Sequence, residues 1–294
     1  MAKETQQRLF GGHWTQEKLE KLEKYLHAYT KIFEKNPGAS YFDTTYVDAF
    51  AGTGTLSTPG LPGEMFPELS EGVEDYQKGS VRRALEVEPQ FDHYVFIEKD
   101  KKRYSELEEL KRQFRSRDIL VANEDANEFL RKWCRKFNSS KSRAVVFLDP
   151  FGANVDWDVI KRIAKTRAID LWLLFPLFAI NRMLIRDQKP PRAWADRLTQ
   201  IFGTTDWEDE FYTSNKDQFP MFEAERFETI VKVADAQKIS DFFIRRLKNE
   251  FFAVAKPLIL YNSRRSPLYL FCFAAANEKG APTALRIAED ILER

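Results

Sequence analysis

The sequence predicts an α/β protein built on a mostly parallel sheet. Five short apolar, β-rich runs, at residues 44–50, 94–98, 119–123, 144–149 and 169–175, are near-continuous rather than alternating, the pattern of strands covered on both faces. Stretches of helix or loop separate them, as crossovers between parallel strands require. Four of the runs end in, or just before, an acidic residue: Asp48, Glu98, Asp125 and Asp149. Ligands of open α/β sheets sit at the carboxyl ends of the strands, so these four carboxylates are expected on one edge, beside a cofactor.

The elements follow in order. Leu19, Leu22, Leu26, Tyr29 and Phe33 recur at spacings of three and four, which predicts an amphipathic helix with Thr15 as N-cap and Asn36-Pro37-Gly38 as its stop. Residues 55–78 interrupt the first crossover with Pro and Gly, and a loop of that length is usually functional. Residues 177–256 depart again; Ile239, Phe242, Phe243 and Leu247 point to a helix, and the segment reads as a mainly helical insertion. Two further strands, at 257–261 and 268–274, are joined by Asn262-Ser263-Arg264-Arg265-Ser266-Pro267, a hairpin-length turn. A closing helix starts with Pro282 at an early position. The 294 residues amount to roughly two domains at about 150 residues each. The division expected is an N-terminal arm and helix at 1–38, a sheet domain at 39–176 and 257–294, and the insertion at 177–256.

Composition narrows the function. Lys and Arg number 46 against 45 Asp and Glu, which excludes a histone-like polycation but leaves room for local basic patches. Two cysteines, Cys134 and Cys272, are too few for a disulfide framework or a cysteine-based zinc site, and the three histidines share no metal-ligand spacing. The longest apolar run, residues 171–180, is too short for the ~20 residues of a membrane span. The polar opening of the chain has no apolar signal core, and a cytoplasmic setting is expected.

Val47-Asp48-Ala49-Phe50-Ala51-Gly52-Thr53-Gly54 closes the first strand. Two glycines one residue apart let the backbone approach a ligand. Ser57 and Pro59 break the G-x-G-x-x-G fingerprint, so a nicotinamide or flavin site is not expected, and no G-K-[ST] follows to make a P-loop. What remains resembles the first motif of class I S-adenosylmethionine methyltransferases, in the version with Phe before Gly-x-Gly that is typical of enzymes acting on nucleic-acid bases. The resemblance implies that Asp48, Phe50, Gly52 and Gly54 face the methionine part of the cofactor. A strand-end turn without a ligand is the alternative. Glu98 ends the second strand, where a carboxylate accepts two hydrogen bonds from a ribose diol. In such enzymes an acid placed like Asp125, with Ala126 beside it, takes the adenine; Asp125 is equally a good N-cap for the segment that follows.

Val146-Phe147-Leu148-Asp149-Pro150-Phe151-Gly152 is the most informative run. Amino-methyltransferases carry [DNS]-P-P-[FYW] at this place: an oxygen and a backbone carbonyl accept hydrogen bonds from an exocyclic amine, and the ring stacks on an unpaired or flipped base. Here the aromatic is third and Gly152 fourth, closer to the Asp-Pro-Tyr/Phe-Gly turn of tRNA guanine-N2 dimethyltransferases. Asp149, Pro150 and Phe151 are therefore the expected acceptor-positioning residues, with a purely structural Asp-Pro turn as the alternative.

The whole chain from about residue 10 resembles the three-Cys-motif partner protein family. The match lies in Phe10-Gly11-Gly12-His13-Trp14-Thr15, the Asp48 to Gly54 run, Gly79-Ser80, Phe96-Ile97-Glu98-Lys99-Asp100, the Asp149 run, Ile169-Asp170-Leu171-Trp172, Phe202-Gly203-Thr204 and Ser266-Pro267-Leu268-Tyr269. The resemblance implies a Rossmann-like class I methyltransferase fold with a seven-stranded, mostly parallel sheet and an antiparallel C-terminal hairpin. It implies S-adenosylmethionine as cofactor and, as partner, a three-cysteine protein of radical S-adenosylmethionine type. RNA or DNA is the expected acceptor. A non-catalytic docking partner, or a methyltransferase of a peptide or small metabolite, stays open. Residues 111–143 hold ten basic and four acidic side chains, which could track a phosphate backbone or simply be a solvated face. Arg82, Arg83, Arg264 and Arg265 are further candidates for substrate contact. Gly11, Gly12, His13 and Trp14 form an arm that either staples the first helix or covers the cofactor.

Overall fold

The computed structural model describes residues 13–51, 73–150, 152–216, 228–262 and 264–294. Helix α1 (His13–Lys35) precedes β1 (Asp43–Asp48). There follow α2 (Val73–Glu86), β2 (His93–Ile97), α3 (Lys101–Gln113), β3 (Ile119–Ala122), α4 (Ala126–Lys136), β4 (Ser142–Leu148), α5 (Trp157–Lys165) and β5 (Ile169–Phe175). Helices α6 (Leu177–Met183), α7 (Arg192–Phe202) and α8 (Trp207–Phe211) lead to the paired strands β6 (Tyr212–Lys216) and β7 (Glu228–Lys232). Helix α9 (Ala236–Glu250), β8 (Ala253–Val254), β9 (Leu258–Tyr261), β10 (Pro267–Ala275) and α10 (Ala281–Glu293) complete the order.

The main sheet runs β3-β2-β1-β4-β5-β10-β8, with β9 also paired to β10. Strands β1 to β5 pair in parallel, and β10 lies antiparallel between β5 and the edge. The eight strands fill seven positions. Both β8 and β9 pair with the flank of β10 away from β5, and the Ala255 N–H donates to Phe273 O between them. They are one edge strand, broken at Lys256-Pro257, where proline lacks the donor that pairing needs. The predicted fold class thus holds: a Rossmann-like, mostly parallel sheet with its C-terminal hairpin antiparallel.

Period-two alternation divides each strand between two cores, one on either face of the sheet. Val47, Val95, Ile97, Val146, Leu148, Leu171 and Leu173 face the layer of α4, α5, α6, α7 and α9. Tyr46, Tyr94, Phe96, Val145, Phe147, Trp172 and Leu174 face α1, α2, α3 and α10. Trp172 is fully buried among Tyr25, Phe271 and Phe273, with ring centroids 5.2, 4.7 and 5.1 Å away. On the other face Phe175 stacks on Phe243 at 3.9 Å. Fully burying a side chain of this size stabilises the fold by about 1.5–3 kcal/mol. Cys272 is buried on β10, where burial pushes its thiol up.

Three local expectations change. Helix α1 already includes His13, so Thr15 lies in its first turn and is not its N-cap. Asn36 does end the helix: its side chain accepts the Gly38 N–H at 2.9 Å and its carbonyl accepts those of Ala39 and Ser40. Residues 73–78 belong to α2 rather than to the preceding loop. Residues 177–256 contain the β6–β7 ribbon, whose second strand, Glu228-Thr229-Ile230-Val231-Lys232, holds a β-branched run that the insertion's helical character conceals. Within the basic stretch, Arg117 and Lys132 pair with Glu88 and Glu124, and Arg131 pairs with Asp156 and Asp158.

Candidate active site

The parallel strands bring their carboxyl ends together around Asp48, on the central strand β1. Asp48 lies beside Phe96 of β2 and Phe147 of β4, fully buried. Its Oδ2 accepts the Ser80 hydroxyl at 2.9 Å and its Oδ1 the Phe50 N–H at 3.3 Å. Gly79 sets this up: a Cβ there would stand 3.0 Å from Leu19 Cδ1, so glycine lets α2 approach α1 and deliver Ser80. Burial raises the Asp48 carboxyl from 3.8 to about 7, and Asp149 adds to this; Ser80, the Phe50 N–H and Lys18 oppose it. Phe50 packs half-buried against one core, and the Ala51 N–H donates to Ile97 O at 3.0 Å, tying the end of β1 to β2. Gly52 and Gly54 lie outside the described residues, as do Phe151, Gly11 and Gly12.

Glu98 follows β2 and is 4% exposed. Its Oε1 accepts the Asp100 N–H at 2.6 Å, and Asn123 Nδ2 donates to its carbonyl at 2.8 Å. Its Oε2 is buried and has no hydrogen-bond partner among the described residues. Burial raises the carboxyl from 4.5 to about 7, opposed by the Asp100 N–H and the Arg103 guanidinium. An orphaned carboxylate oxygen of this kind costs free energy unless a donor reaches it.

Asp125 lies beyond the end of β3 and caps α4: its Oδ1 accepts the N–H groups of Asn127 at 3.0 Å and Glu128 at 3.3 Å. Its Oδ2 sits 3.7 Å from Lys99 Nζ, which joins the loops after β2 and β3. Ala126, the first residue of α4, is buried.

Asp149 and Pro150 follow β4, both buried. Pro150 lines a small apolar cavity with Phe175, Pro176, Ile201 and Phe243. Gly152 holds φ at +72°, the left-handed region that glycine enters without penalty, and this gives the fourth position of Asp-Pro-Phe-Gly its reason.

The sequence reading missed Lys18. It is fully buried on α1, and its Nζ stands 2.8 Å from Asp149 Oδ2. The ammonium lies 5.3 Å from the centre of the Trp14 ring and 6.0 Å from that of Phe147. Burial lowers it from 10.5 to about 8, against the pull of Asp149 and Asp48. Trp14 packs on Tyr269 of β10 at 5.0 Å. A signal existed: Trp14, Lys18, Lys21 or Leu22, and Tyr25 follow the helical period, which places lysines on the stripe that must face the protein.

Fold and site together define the class: a Rossmann-like α/β domain whose acidic residues Asp48, Glu98 and Asp149 gather at the carboxyl ends of neighbouring parallel strands. Over 96% of its length this chain is similar in structure to protein LPL1258 of Legionella pneumophila, of family DUF519; the match covers 91% of that protein, at 12% identity and a TM-score of 0.50. Weaker likenesses are to the SAH-bound N-terminal domain of EvdMO1 (10% identity, TM-score 0.37, 87% of this chain and 81% of that one) and to the putative methyltransferase yhhF of Escherichia coli (12%, 0.29, 72% and 86%). No family model matches the chain, and the search of curated proteins gives no match. Among the described residues no helix is long and apolar enough to cross a membrane.

Proposed function

We propose that this chain is an S-adenosylmethionine-dependent methyltransferase that acts on a nitrogen of a nucleobase in RNA or DNA. The observation that carries the reading is Glu98 Oε2, buried at the carboxyl end of β2 with no partner among the described residues. A ribose diol supplies the donors it lacks. For the rest of such a cofactor we assign Asp48 and Phe50, with Gly52 and Gly54 on the strength of the sequence motif, to the methionine part, and Asp125 and Ala126 to the adenine. When bound, S-adenosylmethionine supplies an electrophilic methyl group. Asp149 accepts an N–H of the acceptor amine and so aims its lone pair, Pro150 stiffens the turn, and Phe151 stacks on the base. The work of the protein is thus positioning and charge placement rather than bond activation. The sequence resemblance to three-Cys-motif partner proteins adds a three-cysteine protein as partner.

Calorimetry with S-adenosylhomocysteine tests the reading. Micromolar binding is expected for the wild type and for Asp149→Ala, and its loss is expected for Glu98→Ala. Labelled-methyl transfer to tRNA and to single-stranded DNA then identifies the acceptor, with and without the co-expressed three-cysteine protein. A folded wild type that binds neither S-adenosylmethionine nor S-adenosylhomocysteine, alone or with that partner, overturns the proposal.

A further inference from the structure

We infer that Lys18 is the positioning residue for Asp149, so that helix α1 is a built-in wall of the reaction centre rather than an arm that happens to lie near it. The inference rests on the methyltransferase reading for its consequence, but the arrangement is visible without it.

Helix α1 is fastened to the body of the protein at three successive points. Lys18 Nζ binds Asp149 Oδ2 at 2.8 Å, Lys21 Nζ donates to Ile291 O of α10 at 2.9 Å, and the Tyr25 hydroxyl donates to Asp170 Oδ2 of β5 at 2.7 Å. Between these ties Leu22, Tyr25, Leu26 and Tyr29 are buried in the core on that face of the sheet. A helix held by apolar contacts along three turns is not a lid that opens at each turnover. Lys18 therefore meets Asp149 as a fixed partner.

That partnership has two effects. It holds one carboxylate oxygen, Oδ2, in place, so that the acceptor role falls to Oδ1. It also sets charge at a crowded edge. Among the described residues, the titratable groups that face Asp149 are Lys18 from α1, Asp48 and Tyr46 from β1, and Tyr269 from β10. Lys18 supplies the positive charge in this set. Without it, the like charges of Asp48 and Asp149 would repel each other at the ends of adjacent strands, which would displace the carboxylate that accepts the substrate N–H. A lysine that only filled space would be replaced without loss by an apolar side chain of the same length, since buried ion pairs do not by themselves favour stability.

The test uses Lys18→Met, which keeps the stem and removes the charge. With the wild type active, Lys18→Met is expected to keep its S-adenosylhomocysteine affinity within about threefold. Its kcat should fall on the order of 100-fold at pH 7, the penalty of a misplaced reacting group. KM should change little, so that the loss falls on kcat alone. An unchanged kcat overturns the inference. If the wild type is folded but inactive, the methyltransferase reading has failed and the Lys18 claim is judged separately, by NMR titration of the Lys18 side chain in the cofactor-free chain. Coupling is reciprocal, so Asp149→Asn must lower the Lys18 midpoint. A midpoint that does not move overturns the inference even if Lys18→Met cannot be folded.

Discussion

Glu98→Gln separates what the cofactor edge costs from what it gains. Burial lifts the Glu98 carboxyl from 4.5 to about 7. Below the unfolded value, near pH 4, the group is protonated in both states and does not penalise folding. As pH rises toward 7 the unfolded chain releases the proton while the folded chain retains it, so stability falls; above about 7 both states are ionised and the loss is complete. About two and a half pH units at 1.36 kcal/mol each come to about 3 kcal/mol. Glutamine does not ionise, so this component disappears. Urea unfolding of both proteins at about pH 4 and about pH 8 measures it. The stability of Glu98→Gln relative to wild type should improve by up to about 3 kcal/mol between the two pH values, a double difference that cancels any fixed cost of the amide. Saturating S-adenosylhomocysteine should offset much of the advantage, since ribose hydroxyls would then satisfy the wild-type carboxylate, and the variant should bind it roughly 10- to 100-fold more weakly, as expected for a lost charged hydrogen bond. Parallel stability curves for the two proteins would refute the account of a buried, unsatisfied carboxylate.

Three other substitutions probe the remaining parts. Asp149→Asn should abolish methyl transfer while changing S-adenosylhomocysteine affinity by no more than about twofold, read by single-turnover assay and calorimetry; a retained kcat would remove Asp149 from the acceptor role. Tyr25→Phe deletes the donor to Asp170, whose buried carboxyl already stands at about 6. The loss of about 1–3 kcal/mol should be largest above pH 6 and smaller at pH 4, where Asp170 is protonated in the fold; an equal loss at both would be wrong for this mechanism. Gly203→Ala places a methyl 2.1 Å from Trp157 Cδ1 at a residue with φ +67°, and strain plus overpacking should cost about 2–4 kcal/mol in urea unfolding.

Glu98 and Asp149 share a theme with Asp48: polar groups are buried at the carboxyl ends of the strands, where they are costly. Asp48 is held by Ser80 and the Phe50 N–H, Asp149 by Lys18, and Glu98 is left with one oxygen open among the described residues. Each of these acids follows an apolar strand that a domain could bury without any charge at its end. Their presence is the strongest structural support for a ligand that completes the edge.

The sequence by itself determined the local features. Apolar runs such as Val146-Phe147-Leu148 declared strands buried on both faces, and the acidic residues after β1, β2 and β4 marked one edge, because hydrophobic period and strand-end chemistry are written in consecutive residues. The Asn36 stop and the closing hairpin were legible for the same reason. Strand β8, two residues long, was not, since pairing with β10 rather than local pattern creates it, and the β6–β7 ribbon was hidden among the helices of the insertion although β7 carries its own β-branched run. Tertiary structure alone decided the partners. Lys18 and Asp149 are separated by 131 positions. Nothing in the residues around either one announces the other. Only the seating of α1 across the sheet removes both from water, and in that dry setting a surface-type lysine becomes a fixed counter-charge at the centre of the site.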